Sequence, residues 1–320
     1  MKITNEMIHP ELRKKGKMLK MFTLPLNVGM LKIMNKLSKI GSNKCKANLN
    51  YEEKFIDRAD GSKIRVCVYS PKERKENVCG LLWIHGGGYA TGTAEQDEVL
   101  IDKFIKLSGC VVVSVDYRLS VDAPYPAALE DCYSALLWLK DNADKLGVNV
   151  NQIAIGGTSA GGGLCAALSM YAKDKKEVNI AFQIPLYPMI DDRETSSNRD
   201  NDAPAWSSKQ NYLAWKLYLG ELYGKDVPKY AVPSRCTDYN GLPPTITFVG
   251  DIEPFYDETI TFVENLSNAN VPTHFRVYKG CYHAFEYLCS EASISKEATN
   301  FLLESFEFAI SNYYANQKQM

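Results

Sequence analysis

Residues 153–162 read Ile153-Ala154-Ile155-Gly156-Gly157-Thr158-Ser159-Ala160-Gly161-Gly162, and Leu164–Met170 continue with helical composition. An apolar strand therefore runs into a turn and directly on into a helix. Gly157 and Gly161 stand two residues either side of Ser159, where so sharp a reversal leaves no room for a Cβ. Such a turn holds the Ser159 hydroxyl at its tip. By itself, G-x-S-x-G arises by chance in roughly one chain in ten of this length at ordinary glycine frequencies. A glycine-rich helix start that binds an anion has the same appearance. The rest of the chain separates the two.

Working outward, short apolar runs alternate with helical stretches from about residue 52. Ile64–Tyr69, Cys79–Ile84, Cys110–Val115, Gln152–Gly157, Ile180–Tyr187, Thr245–Gly250 and Thr273–Tyr278 have strand character. Ala128–Lys145 places Leu129, Cys132, Tyr133, Leu136, Leu137 and Leu139 at helical spacing. Strands separated by helices imply an α/β fold with a mainly parallel sheet covered on both faces. Two segments break the pattern. Residues 1–50 are basic and Met-rich, and 192–235 turn from polar to Trp/Tyr-rich. The expected organisation is N-terminal cap helices over 1–50, core over 51–191, a helical cap insertion over 192–235, and core again over 236–320.

Within the first segment, Val28, Met30, Leu31, Ile33, Met34, Leu37 and Ile40 recur at helical spacing, bracketed by Pro25 and Gly41. Lys32, Asn35, Lys36 and Lys39 fill the intervening face. A lid packed on the body of the protein, with the lysines as its solvated side, is preferred over a membrane-surface helix.

The chain has 320 residues, 37 basic and 38 acidic, for a net charge of −1. That balance gives no general attraction to nucleic acid. Nine cysteines, from Cys45 to Cys289 with no C-x-x-C pair, argue against a zinc ribbon or a disulfide framework. Buried thiols in a reducing compartment are expected, and the cytoplasm is the default location. No apolar run reaches membrane-spanning length.

A serine hydroxyl needs a base to become nucleophilic. Of four histidines, His9 lies in the basic segment, His85 heads His85-Gly86-Gly87-Gly88, His274 sits mid-strand, and His283 follows the last strand in a loop. The order serine, acid, histidine along the chain leaves His274 and His283, and a mid-strand side chain points into a sheet face. His283 is the expected base. The loop after Thr245–Gly250 offers four carboxylates, Asp251, Glu253, Asp257 and Glu258. Composition does not choose among them. Gly86-Gly87-Gly88, directly after a strand, lets backbone N–H groups approach a developing oxyanion. Gly87, Gly88 and Ala160 are the expected donors.

With these residues in place, the sequence resembles the hormone-sensitive-lipase-like family of α/β-hydrolase carboxylesterases, from about Tyr69 to Phe285. His85-Gly86-Gly87-Gly88 matches the family's oxyanion motif. Asp116-Tyr117-Arg118-Leu119, followed by Ala123-Pro124-Tyr125-Pro126-Ala127-Ala128, matches its Y-R-L…P-x-x-P-A-A stretch. Gly157-Thr158-Ser159-Ala160-Gly161-Gly162 matches the serine turn, and Tyr187-Pro188-Met189 with Asp192 resembles the next landmark. The family's D-P-x-x-D-E segment falls on Glu253-Pro254-Phe255-Tyr256-Asp257-Glu258, which puts a glutamate where an aspartate is usual. The resemblance implies an α/β-hydrolase fold and a catalytic set of Ser159, His283 and Glu253. It further implies hydrolysis of small-molecule esters with short acyl chains, without metal or organic cofactor. An amidase or peptidase on the same fold, a non-catalytic ligand-binding relative and an interfacial lipase are the competing readings.

Overall fold

The computed structural model describes residues 2–21, 27–41, 47–58 and 60–317, with the backbone alone for 39–41. Eight strands form one sheet: β1 Asn50–Asp57, β2 Lys63–Ser70, β3 Val78–Ile84, β4 Val111–Asp116, β5 Val148–Thr158, β6 Gln183–Leu186, β7 Thr245–Gly250 and β8 Thr273–Tyr278. Their order across the sheet is β1-β2-β4-β3-β5-β6-β7-β8. β2 is antiparallel to both its neighbours, and every pairing from β4 to β8 is parallel. This is the α/β-hydrolase fold expected from the sequence.

The period of two along each strand sorts side chains between two apolar layers. In β3, Leu82 and Ile84 join one core with Ile153 and Ile155 of β5 and with Leu136 and Leu164 of the helices Ala127–Asp141 and Ala160–Lys175. Leu81 and Trp83 face the other layer, with Phe104 of helix Glu98–Ser108 and Phe306 of helix Ser293–Asn312. All four β3 side chains are fully buried, as are the central valines of β4. A strand buried on both faces reads as a continuous apolar run, and for that reason it was legible.

Several expectations are corrected in detail. β1 lies outside the strands expected from the sequence, because its only large apolar residues, Tyr51, Phe55 and Ile56, do not alternate on an edge where Phe55 is exposed. The run Ile180–Tyr187 shortens to a four-residue strand. The expected helix Ala128–Lys145 breaks at Asn142 into Ala127–Asp141 and Ala143–Leu146, and β5 begins earlier, at Val148. The segment 192–235 contains one α-helix, Ser208–Leu219, two short 3₁₀ turns, and otherwise turns and irregular chain. That helix opens with a capping box between Ser207 and Gln210 and buries Trp215 and Tyr218 against Tyr89.

The N-terminal segment forms helices Arg13–Met21 and Val28–Gly41. Pro25 lies outside the described residues. The second helix does not pack by its apolar stripe. Leu31 and Asn35 are buried, the latter donating to the Ala90 carbonyl at 2.9 Å, while Val28, Ile33, Met34 and Leu37 are exposed. Eight cysteines are unpaired thiols, seven of them buried; the ninth, Cys45, lies outside the described residues.

Candidate active site

The parallel strands all point their C-terminal ends to one edge of the sheet, where ligands bind in open α/β sheets. Gly86–Gly88 follow β3, Ser159 follows β5, Tyr187 follows β6, Glu253 follows β7 and His283 follows β8. Residues far apart in sequence therefore converge on one edge.

Ser159 occupies the turn between β5 and its helix with φ 56° and ψ −118°, a backbone conformation that side-chain-bearing residues rarely adopt. The glycines around it are required by contact. A Cβ on Gly161 would lie 2.0 Å from the Ile84 carbonyl oxygen, and one on Gly157 would lie 2.5 Å from the carbonyl oxygens of both Gly161 and Ile84. Backbone bonds from Ser159 N to Leu186 O (3.0 Å) and from Met189 N to Ser159 O (3.1 Å) tie the turn to the chain after β6.

His283 Nε2 lies 2.9 Å from Ser159 Oγ, and His283 Nδ1 lies 2.5 Å from Glu253 Oε2. The second carboxylate oxygen of Glu253 accepts from the Gly250 amide at 2.9 Å. All three side chains are buried, and the imidazole is boxed edge-on by Tyr187 and Phe255, each with its ring centre 5.0 Å away. The other carboxylates of this loop have separate partners. Asp251 accepts from Gly280 N (2.6 Å), Asp257 from Ser197 N (2.7 Å) and Glu258 from Ile190 N (2.7 Å). Among the four candidates, Glu253 is the one in contact with the imidazole. His274, on the edge strand β8, instead packs against Phe308 of helix Ser293–Asn312, with its Nε2 3.4 Å from the Tyr313 hydroxyl.

The glycine run crosses beside Ser159. Gly87 and Gly88 have φ of 117° and 60°, and neither amide donates to a protein acceptor among the described residues. A Cβ on Gly87 would overlap the Thr91 carbonyl oxygen at 2.2 Å, so this tight loop admits glycine only. His85 plays no part in the chain of contacts. Its ring is buried and stacks on Tyr117 at 4.3 Å, and its Nδ1 is 2.8 Å from the Gly86 carbonyl oxygen. Burial holds its pKa below the ordinary imidazole value. Tyr117 donates in turn to the His85 carbonyl at 3.0 Å, while Arg118 binds buried Asp131. The Tyr-Arg-Leu motif thus supports the glycine loop from below.

A cavity of about 490 Å³ opens over Ser159 and His283, lined by Gly87, Gly88, Tyr187, Trp206 and Leu288 among others. A smaller one of about 70 Å³ is lined by Leu31, Met34, Trp206 and Leu217, and also touches Gly87 and Gly88. Trp206, Gly87 and Gly88 line both spaces. A third cavity, of about 440 Å³, sits by Glu52, Lys54, Arg74 and Trp138 and contains none of the serine, histidine or glycine-loop residues.

Three groups escaped the sequence reading. Asp97 accepts from Trp83 Nε1 (2.8 Å) and Thr158 Oγ1 (3.2 Å), joining the ends of β3 and β5, and burial raises its pKa. Trp206 carried no signal beyond its aromatic neighbourhood. Glu286, three residues after His283, accepts from the Tyr187 hydroxyl through one oxygen, while the other is buried without a partner among the described residues. Burial lifts its pKa from 4.5 to about 7, with the Tyr187 hydrogen bond opposing.

The folded chain thus keeps a proton on Glu286 that the unfolded chain releases, so stability falls as pH rises from 4.5 through about 7. Glu286→Gln, which mimics the protonated carboxyl, is expected to be more stable than the wild type by roughly 1–3 kcal/mol above about pH 8, and no more stable at acid pH. Melting temperatures across this range check it. Parallel curves for the two proteins would contradict the assignment.

A family model described as alpha/beta hydrolase fold matches residues 81–287. The chain is 31% identical over 222 residues to Esterase LipI of Mycobacterium tuberculosis, covering 69% of each protein. It is 32% identical over 228 residues to an arylesterase of Saccharolobus solfataricus, covering 68% of this chain and 71% of that one. The solved structure of a bacterial heroin esterase superimposes with a TM-score of 0.86 at 32% identity, over 96% of this chain and 99% of that one. The chain belongs to the α/β-hydrolase family, and the resemblance to hormone-sensitive-lipase-like carboxylesterases stands.

Proposed function

We infer that the protein is a carboxylic ester hydrolase that works through an acyl-enzyme on Ser159. The observation that carries this is the unbroken chain Ser159 Oγ–His283 Nε2 and His283 Nδ1–Glu253 Oε2, with Ser159 and His283 lining a cavity beside two backbone amides, of Gly87 and Gly88, that have no partner among the described residues. Similarity to proteins named esterase, arylesterase and heroin esterase supports the reaction class.

His283 takes the Ser159 proton as Oγ attacks the ester carbonyl carbon. The N–H groups of Gly87, Gly88 and Ala160 stabilise the tetrahedral oxyanion. Collapse expels the alcohol, which leaves with the proton from His283. Water then enters, gives a proton to His283 and its oxygen to the acyl carbon, and a second collapse releases the acid and restores Ser159. Glu253 holds the imidazole in the tautomer that presents Nε2 to the serine and stabilises the imidazolium. No step draws on a cofactor.

The substrates proposed are small-molecule esters with short acyl chains. Residues 1–50 and 192–235 act as the cap, and Trp206 closes the smaller space to a long chain. The unpaired thiols are in keeping with a cytoplasmic setting. A p-nitrophenyl ester series from acetate to palmitate is the test. Acetate to butyrate are expected to exceed palmitate in kcat/KM by about tenfold or more, and Trp206→Ala is expected to flatten that slope by joining the two spaces. Absence of turnover with every ester would overturn the reaction class; a palmitate optimum would overturn the chain-length assignment alone.

A further inference from the structure

Residues 12–51 contain ten Lys and Arg and no Asp or Glu, in a chain whose net charge is −1. The cations are thus concentrated at one end of an otherwise acidic protein. Helices Arg13–Met21 and Val28–Gly41 carry eight of the ten.

At 3.6 residues per turn the second helix resolves into three faces. Leu31 and Asn35 form the buried one. Lys32 and Lys36 form a second. Ile33, Met34 and Leu37 form the third, with Ile33 62% and Leu37 64% exposed. On the first helix, Gly16 is buried against Tyr282 and Pro204. Lys14, Lys17, Met18 and Met21 share the opposite, exposed side, Met21 at 73%. Lys20 pairs with Asp202 and Lys32 with Asp122. Lys14, Lys15, Lys17 and Lys36 have no acidic partner among the described residues. Large apolar side chains therefore stand in solvent beside unpaired lysines on the first helix and beside Lys36 on the second. That combination matches an interface of hydrocarbon edged by negative charge.

The same helices border the site. Leu19 lines the cavity over Ser159, and Leu31 and Met34 line the smaller one that Trp206 also lines. No helix among the described residues is long and apolar enough to cross a membrane, so the contact is with a surface.

We propose that the exposed faces of helices Arg13–Met21 and Val28–Gly41 dock the protein on an anionic lipid surface, with the substrate cavity beside the contact. The apolar side chains enter the headgroup boundary and the lysines meet the lipid phosphates. This docking does not depend on the catalytic roles assigned above.

The test is co-sedimentation of the full chain with vesicles of phosphatidylcholine alone or mixed with phosphatidylglycerol. Binding is expected to the mixed vesicles only and to weaken as salt is raised. Ile33→Ser/Leu37→Ser and, separately, Lys14→Ser/Lys17→Ser are each expected to reduce it by about tenfold, while hydrolysis of soluble p-nitrophenyl acetate stays unchanged. No binding to mixed vesicles, or binding that neither variant weakens, would overturn the proposal. So would a wild-type dimer in solution that Ile33→Ser/Leu37→Ser converts to monomer, since a second copy would then cover the face.

Discussion

Ser159→Ala is expected to lower kcat for p-nitrophenyl acetate by a factor on the order of 10⁶ while leaving the fold intact. The size follows from what the hydroxyl does. In the proposed mechanism it supplies the bond to the acyl carbon, and without it the glycine-loop amides and the cavity would retain only binding and oxyanion stabilisation. The fold should survive because alanine at φ 56° is no more strained than serine, and Ser159 Oγ makes no hydrogen bond other than that to His283 among the described residues. Kinetics paired with a thermal melt give the check. A loss of only about tenfold would mean that another group carries the acyl transfer.

The second large effect concerns the acid. Glu253→Ala is expected to reduce kcat by about 10⁴, as removal of the orienting carboxylate does in comparable triads. Both Glu253 oxygens are engaged, one by His283 Nδ1 and one by the Gly250 amide, so the carboxylate is held rather than floating. Asp251→Ala, by contrast, removes an acceptor for the Gly280 amide and should cost kcat about tenfold at most, through slackening of the histidine loop. Glu253→Asp should fall between, because the carboxyl retreats by one methylene from an imidazole fixed between Tyr187 and Phe255. Measuring kcat for all three settles the order. A severe loss in Asp251→Ala with a mild one in Glu253→Ala would reverse the assignment.

The sequence made the sheet visible wherever strands are buried on both faces, as in Cys79–Ile84 and Thr245–Gly250, since burial there demands an uninterrupted apolar run. It concealed β1, an edge strand whose exposed Phe55 and charged neighbours carry no period. The juxtaposition of Ser159 and His283 was legible because each is placed by local context: glycines that steric contact requires, and a loop after a strand. The acid was not, for Asp251, Glu253, Asp257 and Glu258 share one loop and differ only in partners supplied by Gly280, His283, Ser197 and Ile190. Family resemblance selected Glu253 where composition did not. Asp97, Trp206 and Glu286 act through contacts made in space and left no local mark. The N-terminal helix shows the converse error. Its apolar stripe is real, yet burial falls on Leu31 and Asn35 at the stripe's margin, where Asn35 donates to the Ala90 carbonyl.

The central claim is that Ser159 is the residue that becomes acylated. Treating the intact protein with a fluorophosphonate and mapping the adduct by peptide mass spectrometry tests it directly. One adduct per chain, on the peptide bearing Ser159 and absent from Ser159→Ala, is the predicted result. An unlabelled protein, or a label on any other residue, would contradict it.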